Sequence, residues 1–199
     1  MKVKIHNMEQ RSDEWFAIKK GKASASRAQA IGNGGKGLEN YVIEIMAEYY
    51  SIAERENYIN EHMQRGIELE PIAKQVYELE HDCEVREIGF AEYNEYIGCS
   101  PDGLVGKDGM IEIKCPCDRI YLGILINEKI DSGYEWQCQM NMLILKRKWC
   151  DLIFYNPNFK RSMYIKRLKA DKKAHEKLLK GFIKVEEEIK KIKNKIKIC

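Results

Sequence analysis

The stretch Gly98-Cys-Ser-Pro-Asp-Gly-Leu-Val-Gly-Lys-Asp-Gly-Met-Ile-Glu-Ile-Lys-Cys-Pro116 decides how the chain reads. A Pro-Asp-Gly turn ends one β-rich run and places Asp102 at its tip; the next run carries Glu112 and Lys114. Side chains alternate across a strand, so Glu112 and Lys114 share one face while Ile111 and Ile113 point the other way, into a core. A hairpin between the two runs brings Asp102 beside Glu112. Two carboxylates and one ammonium then converge, as metal-assisted phosphodiester hydrolysis requires. Hard carboxylate oxygens suit Mg²⁺, which keeps several waters and accepts a phosphate oxygen. A neighbouring lysine can orient or deprotonate the attacking water, or stabilise the charge that develops. The alternative is a surface turn with a solvent-exposed salt bridge, which Glu-x-Lys alone would suit. Asp108, in the Gly-Lys-Asp-Gly turn, reads as turn chemistry.

Working outward, further β-rich runs cover Val85–Phe90, Tyr96–Cys99, Met110–Lys114, Cys150–Tyr155 and Met163–Leu168, bounded by Gly, Pro, Asn or Asp. Helical spacing governs Leu38 to about Ser51, about Asn60 to Glu80, about Gly133 to Leu145, and roughly Asp171 to Ile196. Ser12 can cap a short helix through Trp15 and Ile18 that Gly21 ends, and Ser24 or Ser26 can start another. Ile31–Gly37 reads as a flexible glycine loop, without the Gly-Lys-Ser/Thr of a phosphate-binding P-loop. The order predicts an α/β fold: one mixed central sheet flanked by helices, a helical N-terminal part and a long C-terminal helix. No linker or repeat divides the 199 residues, so a single domain over 1–199 is expected.

Composition narrows the class. The chain is 44% hydrophobic and 33% charged, typical of a water-soluble globular protein. No apolar run approaches the roughly 20 residues of a membrane span, and the N-terminus has no secretory h-region. The expectation is a cytoplasmic protein with reduced thiols. Of seven cysteines, Cys115 and Cys117 stand too close for a zinc knuckle and no second pair answers them. His6, His62, His81 and His175 show no paired metal spacing. The net charge of +3 is uneven: residues 160–199 hold fifteen Lys or Arg against five Asp or Glu. That basic end is either a solvated helix face or a contact for a phosphate backbone.

The Ser-Pro-Asp-Gly to Glu-Ile-Lys-Cys-Pro segment resembles the PD-(D/E)-x-K nuclease superfamily. Within it, the chain is similar to the phage-type alkaline exonucleases, the lambda exonuclease and YqaJ-like viral recombinase group, from about Arg11 to Leu168. Gly66-Ile-Glu-Leu-Glu70-Pro resembles the helix that supplies an extra acid, and Gln137-Cys-Gln-Met-Asn resembles the helix after the catalytic strands. Trp15-Phe-Ala-Ile-Lys-Lys-Gly-Lys-Ala-Ser-Ala-Ser26 resembles the segment that helps hold a terminal 5′-phosphate.

The resemblance implies a restriction-endonuclease-like fold and Mg²⁺, with Mn²⁺ as substitute, held by Asp102 and Glu112 with support from Glu70. It gives Lys114 the nucleophilic water and gives Gln137 the orientation of a water, the metal or Lys114. Lys19, Ser26 and Ser100 become candidates for the 5′-phosphate; Lys19 departs from the arginine of the lambda enzyme and loses its bidentate fork. Tyr134, one turn before Gln137, can stack on a base or simply pack. The implied activity is digestion of double-stranded DNA from its ends, 5′ to 3′, in phage-type homologous recombination. A single-strand annealing recombinase would be the partner, and the chain would form a homo-oligomer, a trimer among the options. Two alternatives remain: a cluster-free relative of the CRISPR-associated adaptation nucleases, and a non-catalytic DNA-end-binding scaffold.

Overall fold

A computed structural model describes residues 3–53 and 60–196, apart from the side chain of His62; Cys199 lies outside the described residues. The chain begins with β1 (Lys4–His6) and α1 (Asp13–Lys19), continues through β2 (Ala23–Ser24) and a 3₁₀ turn (Ala25–Arg27), and enters helices α2 (Ala28–Asn33), α3 (Gly35–Tyr50) and α4 (Glu61–His81). Strands β3 (Val85–Arg86), β4 (Phe90–Asn94), β5 (Ile97–Cys99), β6 (Gly103–Val105) and β7 (Gly109–Lys114) follow. The chain closes with α5 (Asp118–Asn127), α6 (Ser132–Leu145), β8 (Trp149–Tyr155), β9 (Met163–Lys169) and α7 (Lys172–Lys195). Among the described residues no helix is long and apolar enough to cross a membrane.

The helix starts follow local chemistry. Ser12 Oγ accepts from Trp15 N at the start of α1, with Asp13 and Glu14 in the positive first turn. Asn60, Asp131 and Asp171 cap α4, α6 and α7 in the same way. Residues 31–37 are not a long loop. Gly34 and Gly35 take φ of +68° and +64°, a left-handed junction open to glycine, so α2 turns directly into α3. The apolar stripe of α7 (Leu178, Phe182, Val185, Ile189) is buried, and Gly181 lets α7 approach α2 so closely that a Cβ there would lie 2.2 Å from Ile31 O.

Two sheets replace the single one expected. One has the order β1-β4-β5-β2, the other β3-β6-β7-β8-β9. The run Val85–Phe90 therefore splits between them, and Tyr96–Cys99 supplies β5 of the first sheet rather than the partner of the catalytic strand. The hairpin that matters is β6–β7, in which Gly103 lies opposite Ile111. Parallel pairing of β7 with β8 puts Glu112 beside Leu152 and Ile111 beside Asp151. Both faces of β7 are buried. Ile111 and Ile113 join a small cluster with Ala73 and Tyr77 of α4, while Met110 belongs to the larger core under α2, α3, α6 and α7.

Candidate active site

Asp102 stands one residue beyond the Gly103–Ile111 pair, level with Glu112. Its Oδ2 accepts from the Ile113 amide at 2.6 Å, so the Pro-Asp-Gly turn is stitched to β7. Glu112 is only 1% exposed, yet no oxygen is left unmet. Oε1 accepts from Lys114 Nζ at 2.7 Å and from Gln137 Nε2 at 2.6 Å, and Oε2 accepts from Asn141 Nδ2 at 3.0 Å. Gln137 and Asn141 are one turn apart on α6 and therefore share its inner face. The convergence of Asp102, Glu112 and Lys114 expected from strand periodicity is present, and Gln137 is bound directly to Glu112.

Glu70 comes from α4, which runs through Pro71 without ending. Its Oε2 accepts from Arg11 Nη2 at 2.7 Å. Arg11 belongs to the turn before α1, where the Gln10 side chain donates to Ile88 O and Pro101 O and ties that turn to the residue preceding Asp102. At the exit of β7, Arg65 donates Nε–H to Cys115 O at 3.2 Å.

The electrostatics of the site are unbalanced. Burial, and then repulsion from Asp102, push the Glu112 carboxyl up to about 8, against the pull of Lys114. Burial and Asp102 likewise raise Glu70, which Arg11 partly offsets, and burial raises Asp102. Burial alone would lower Lys114, but the Glu112 and Asp102 carboxylates outweigh it and hold the ammonium above its ordinary value. Three acids thus press on one another across too little positive charge. Among the described residues no three His, Cys, Asp or Glu side chains form a ready-made metal cage. The donor set fits a hard cation that takes one or two carboxylates and completes its shell with water and phosphate, not a closed zinc-type site.

Lys19 and Ser26 line a shared cavity of about 210 Å³ together with Lys22, Ser24, Arg27 and Tyr41; Glu44 and Glu48 also line it. Ser24 Oγ and Ser26 Oγ are 3.0 Å apart, and Lys19 Nζ lies 4.1 Å above the Trp15 ring. Ser100 does not line this cavity. Its hydroxyl donates to Gly89 O and accepts from Trp15 Nε1, so it fastens the indole instead. Tyr134 lies beside the site, its ring centre 5.3 Å from Lys114 Nζ and 6.0 Å from the Phe154 ring. Sequence reasoning missed Asn141 and Arg11. The i, i+4 spacing of Gln137 and Asn141 held the first signal; nothing in the sequence marked the second.

Asp102 just before β6 and Glu112 within β7 thus set paired acids on a five-stranded mixed sheet with helices packed on both faces, an α/β architecture. The YqaJ-like viral recombinase domain matches residues 14–147, and the chain belongs to that family, within the PD-(D/E)-x-K nucleases. An alkaline exonuclease from Laribacter hongkongensis superposes with a TM-score of 0.80 at 31% identity, covering 92% of this chain and 97% of that one; its structure in complex with dAMP matches equally. A phage-related exonuclease from Haemophilus somnus 129PT shares the fold at a TM-score of 0.67 and 15% identity, over 88% of this chain and 96% of that one. No curated protein matches the chain.

Proposed function

We propose that this protein is a divalent-metal-dependent deoxyribonuclease that shortens double-stranded DNA from its ends, 5′ to 3′, during phage-type recombination. The observation that carries the reading is the under-neutralised set of buried Glu112 and half-buried Asp102 and Glu70 around Lys114. Keeping three acids so close costs stability unless a cation joins them. Family membership and the likeness to an alkaline exonuclease support the same reading.

Asp102 and Glu112 would hold Mg²⁺ or Mn²⁺, with Glu70 completing the acidic set. Such a cation, when bound, supplies Lewis-acid stabilisation and acidifies a coordinated water. Gln137 and Asn141 fix the Glu112 carboxylate so that it presents one geometry. Burial disfavours the Lys114 ammonium, and the Glu112 and Asp102 carboxyls offset that penalty. With a cation sharing the charge of those carboxylates, Lys114 would be placed to accept a proton from the attacking water. The water oxygen would bond to phosphorus as the P–O3′ bond breaks, and the departing O3′ would take a proton from solvent. The shortened strand keeps a 5′-phosphate. Lys19 and Ser26 would receive that group, which makes the polarity self-renewing: each cut regenerates the end that the cavity recognises. A single-strand annealing recombinase would take the exposed 3′ strand, and a homo-oligomer such as a trimer would keep the duplex engaged.

The test is digestion of a linear duplex labelled at each terminus beside a closed-circular duplex, with Mg²⁺. Early release of the 5′ label as mononucleotide from linear DNA, with circles untouched, is expected. Nicked circles, or first release of the 3′ label, would reject end-directed 5′ to 3′ action.

A further inference from the structure

Arg11 is conspicuous for its backbone. Its φ is +71°, in the left-handed region that a side-chain-bearing residue enters only against strain. That conformation delivers its guanidinium to Glu70, 59 residues away, at 2.7 Å. Gln10 pins the same turn to Pro101 O, beside Asp102. Yet the Arg11 side chain is 44% exposed while that of Glu70 is 28% exposed. An ion pair with one partner this open is held weakly and can be exchanged. Lys114, by contrast, is 23% exposed and sits against a Glu112 side chain that is 2% exposed.

Resting on the metal-nuclease reading, we propose that Arg11 is a displaceable counter-ion of the metal site: its guanidinium holds Glu70 in the metal-free protein and gives up that carboxylate when a divalent cation enters. Arg11 is thus a positioning residue. It holds the Glu70 carboxylate until the cation replaces it, and spares the folded, metal-free protein part of the repulsion among its acids. The exchange trades one exposed ion pair for coordination, so Arg11 sets the metal affinity from the opposite direction to a ligand.

The experiment is titration of the full chain with Mn²⁺ alone, without DNA, at mildly alkaline pH. Wild type, Arg11→Ala, Arg11→Gly, Arg11→Lys and Glu112→Gln are compared by calorimetry. Arg11→Ala keeps the left-handed strain and Arg11→Gly releases it, so a shared effect belongs to the charge. Both should bind Mn²⁺ roughly two- to fivefold more tightly than wild type, and Arg11→Lys should return towards the wild-type affinity. Unchanged or weaker binding in Arg11→Ala and Arg11→Gly overturns the inference. Glu112→Gln distinguishes that failure from the other: if it binds as wild type does, or if wild type takes up no Mn²⁺, the metal-nuclease reading has failed and this inference with it.

Discussion

Glu112 on β7 and Asp151 on β8 are both about 1% exposed, on opposite faces of one sheet, and the fold treats them in opposite ways. Asp151 is fully neutralised. Arg167 donates to both its oxygens, Nε to Oδ1 at 2.7 Å and Nη2 to Oδ2 at 2.6 Å, and the Tyr77 hydroxyl adds a third bond at 2.7 Å. Trp149 stacks beneath the guanidinium at 4.1 Å, and His81 covers the Tyr77 ring at 4.3 Å. Glu112 has one ammonium and two amides, and it faces repulsion from Asp102 and Glu70. A buried carboxylate with a bidentate arginine is a fastening. A buried carboxylate crowded by other acids is a site that stability alone would not build.

The contrast predicts opposite signs for removing each charge. Asp151→Ala removes three hydrogen bonds and leaves the buried Tyr77 hydroxyl without its acceptor, and should cost about 3 kcal/mol of folding stability. Asp102→Asn should leave the metal-free protein as stable as wild type, or more stable by about 1 kcal/mol, because it relieves repulsion at Glu112 and Glu70. Denaturant unfolding without metal measures both; a large loss in Asp102→Asn would erase the distinction between the two faces.

A smaller effect follows from pH. In the metal-free folded protein the Glu112 carboxyl lies near 8, above its ordinary value of 4.5. Between those values the folded state keeps a proton that the unfolded chain has released. Stability is therefore greatest below the ordinary glutamate range and falls as pH rises through about 8. The raised Glu70 and Asp102 carboxyls act in the same direction. Protons compete with a cation for the same oxygens, so the rise in Tm on adding Mg²⁺ should grow by a few degrees from mildly acidic to alkaline pH. A Mg²⁺ effect independent of pH across that range would contradict the assignment of these carboxyls as ligands.

How much of this was readable depends on the range of each interaction. Glu112 and Lys114 lie two residues apart, and the period of a strand alone places them on one face. The helices α3, α4, α6 and α7 are long enough for their apolar spacing to show. The split into two sheets was not readable, because β2 and β3 have two residues and β6 has three, too few for any alternation. Asp102 stands beside Glu112 as the strand alternation predicts, but its hairpin runs through β6 and not through the Tyr96–Cys99 run. The Asp151 fastening joins residues 74 and 16 positions apart, and Arg11 reaches Glu70 only through a left-handed backbone. Pairings of this kind are settled by tertiary packing and leave no local pattern. Ser100, which the family resemblance offers for a phosphate, has its hydroxyl engaged with Trp15 and Gly89, a pairing equally invisible in the local pattern.

The most direct measurement is nucleotide release from a linear duplex by wild type and by Asp102→Asn, each with Mg²⁺ and with EDTA. The account predicts release by wild type only with Mg²⁺, and a rate in Asp102→Asn lower by about a hundredfold or more. Undiminished release in EDTA, or a near-normal rate from Asp102→Asn, would contradict it.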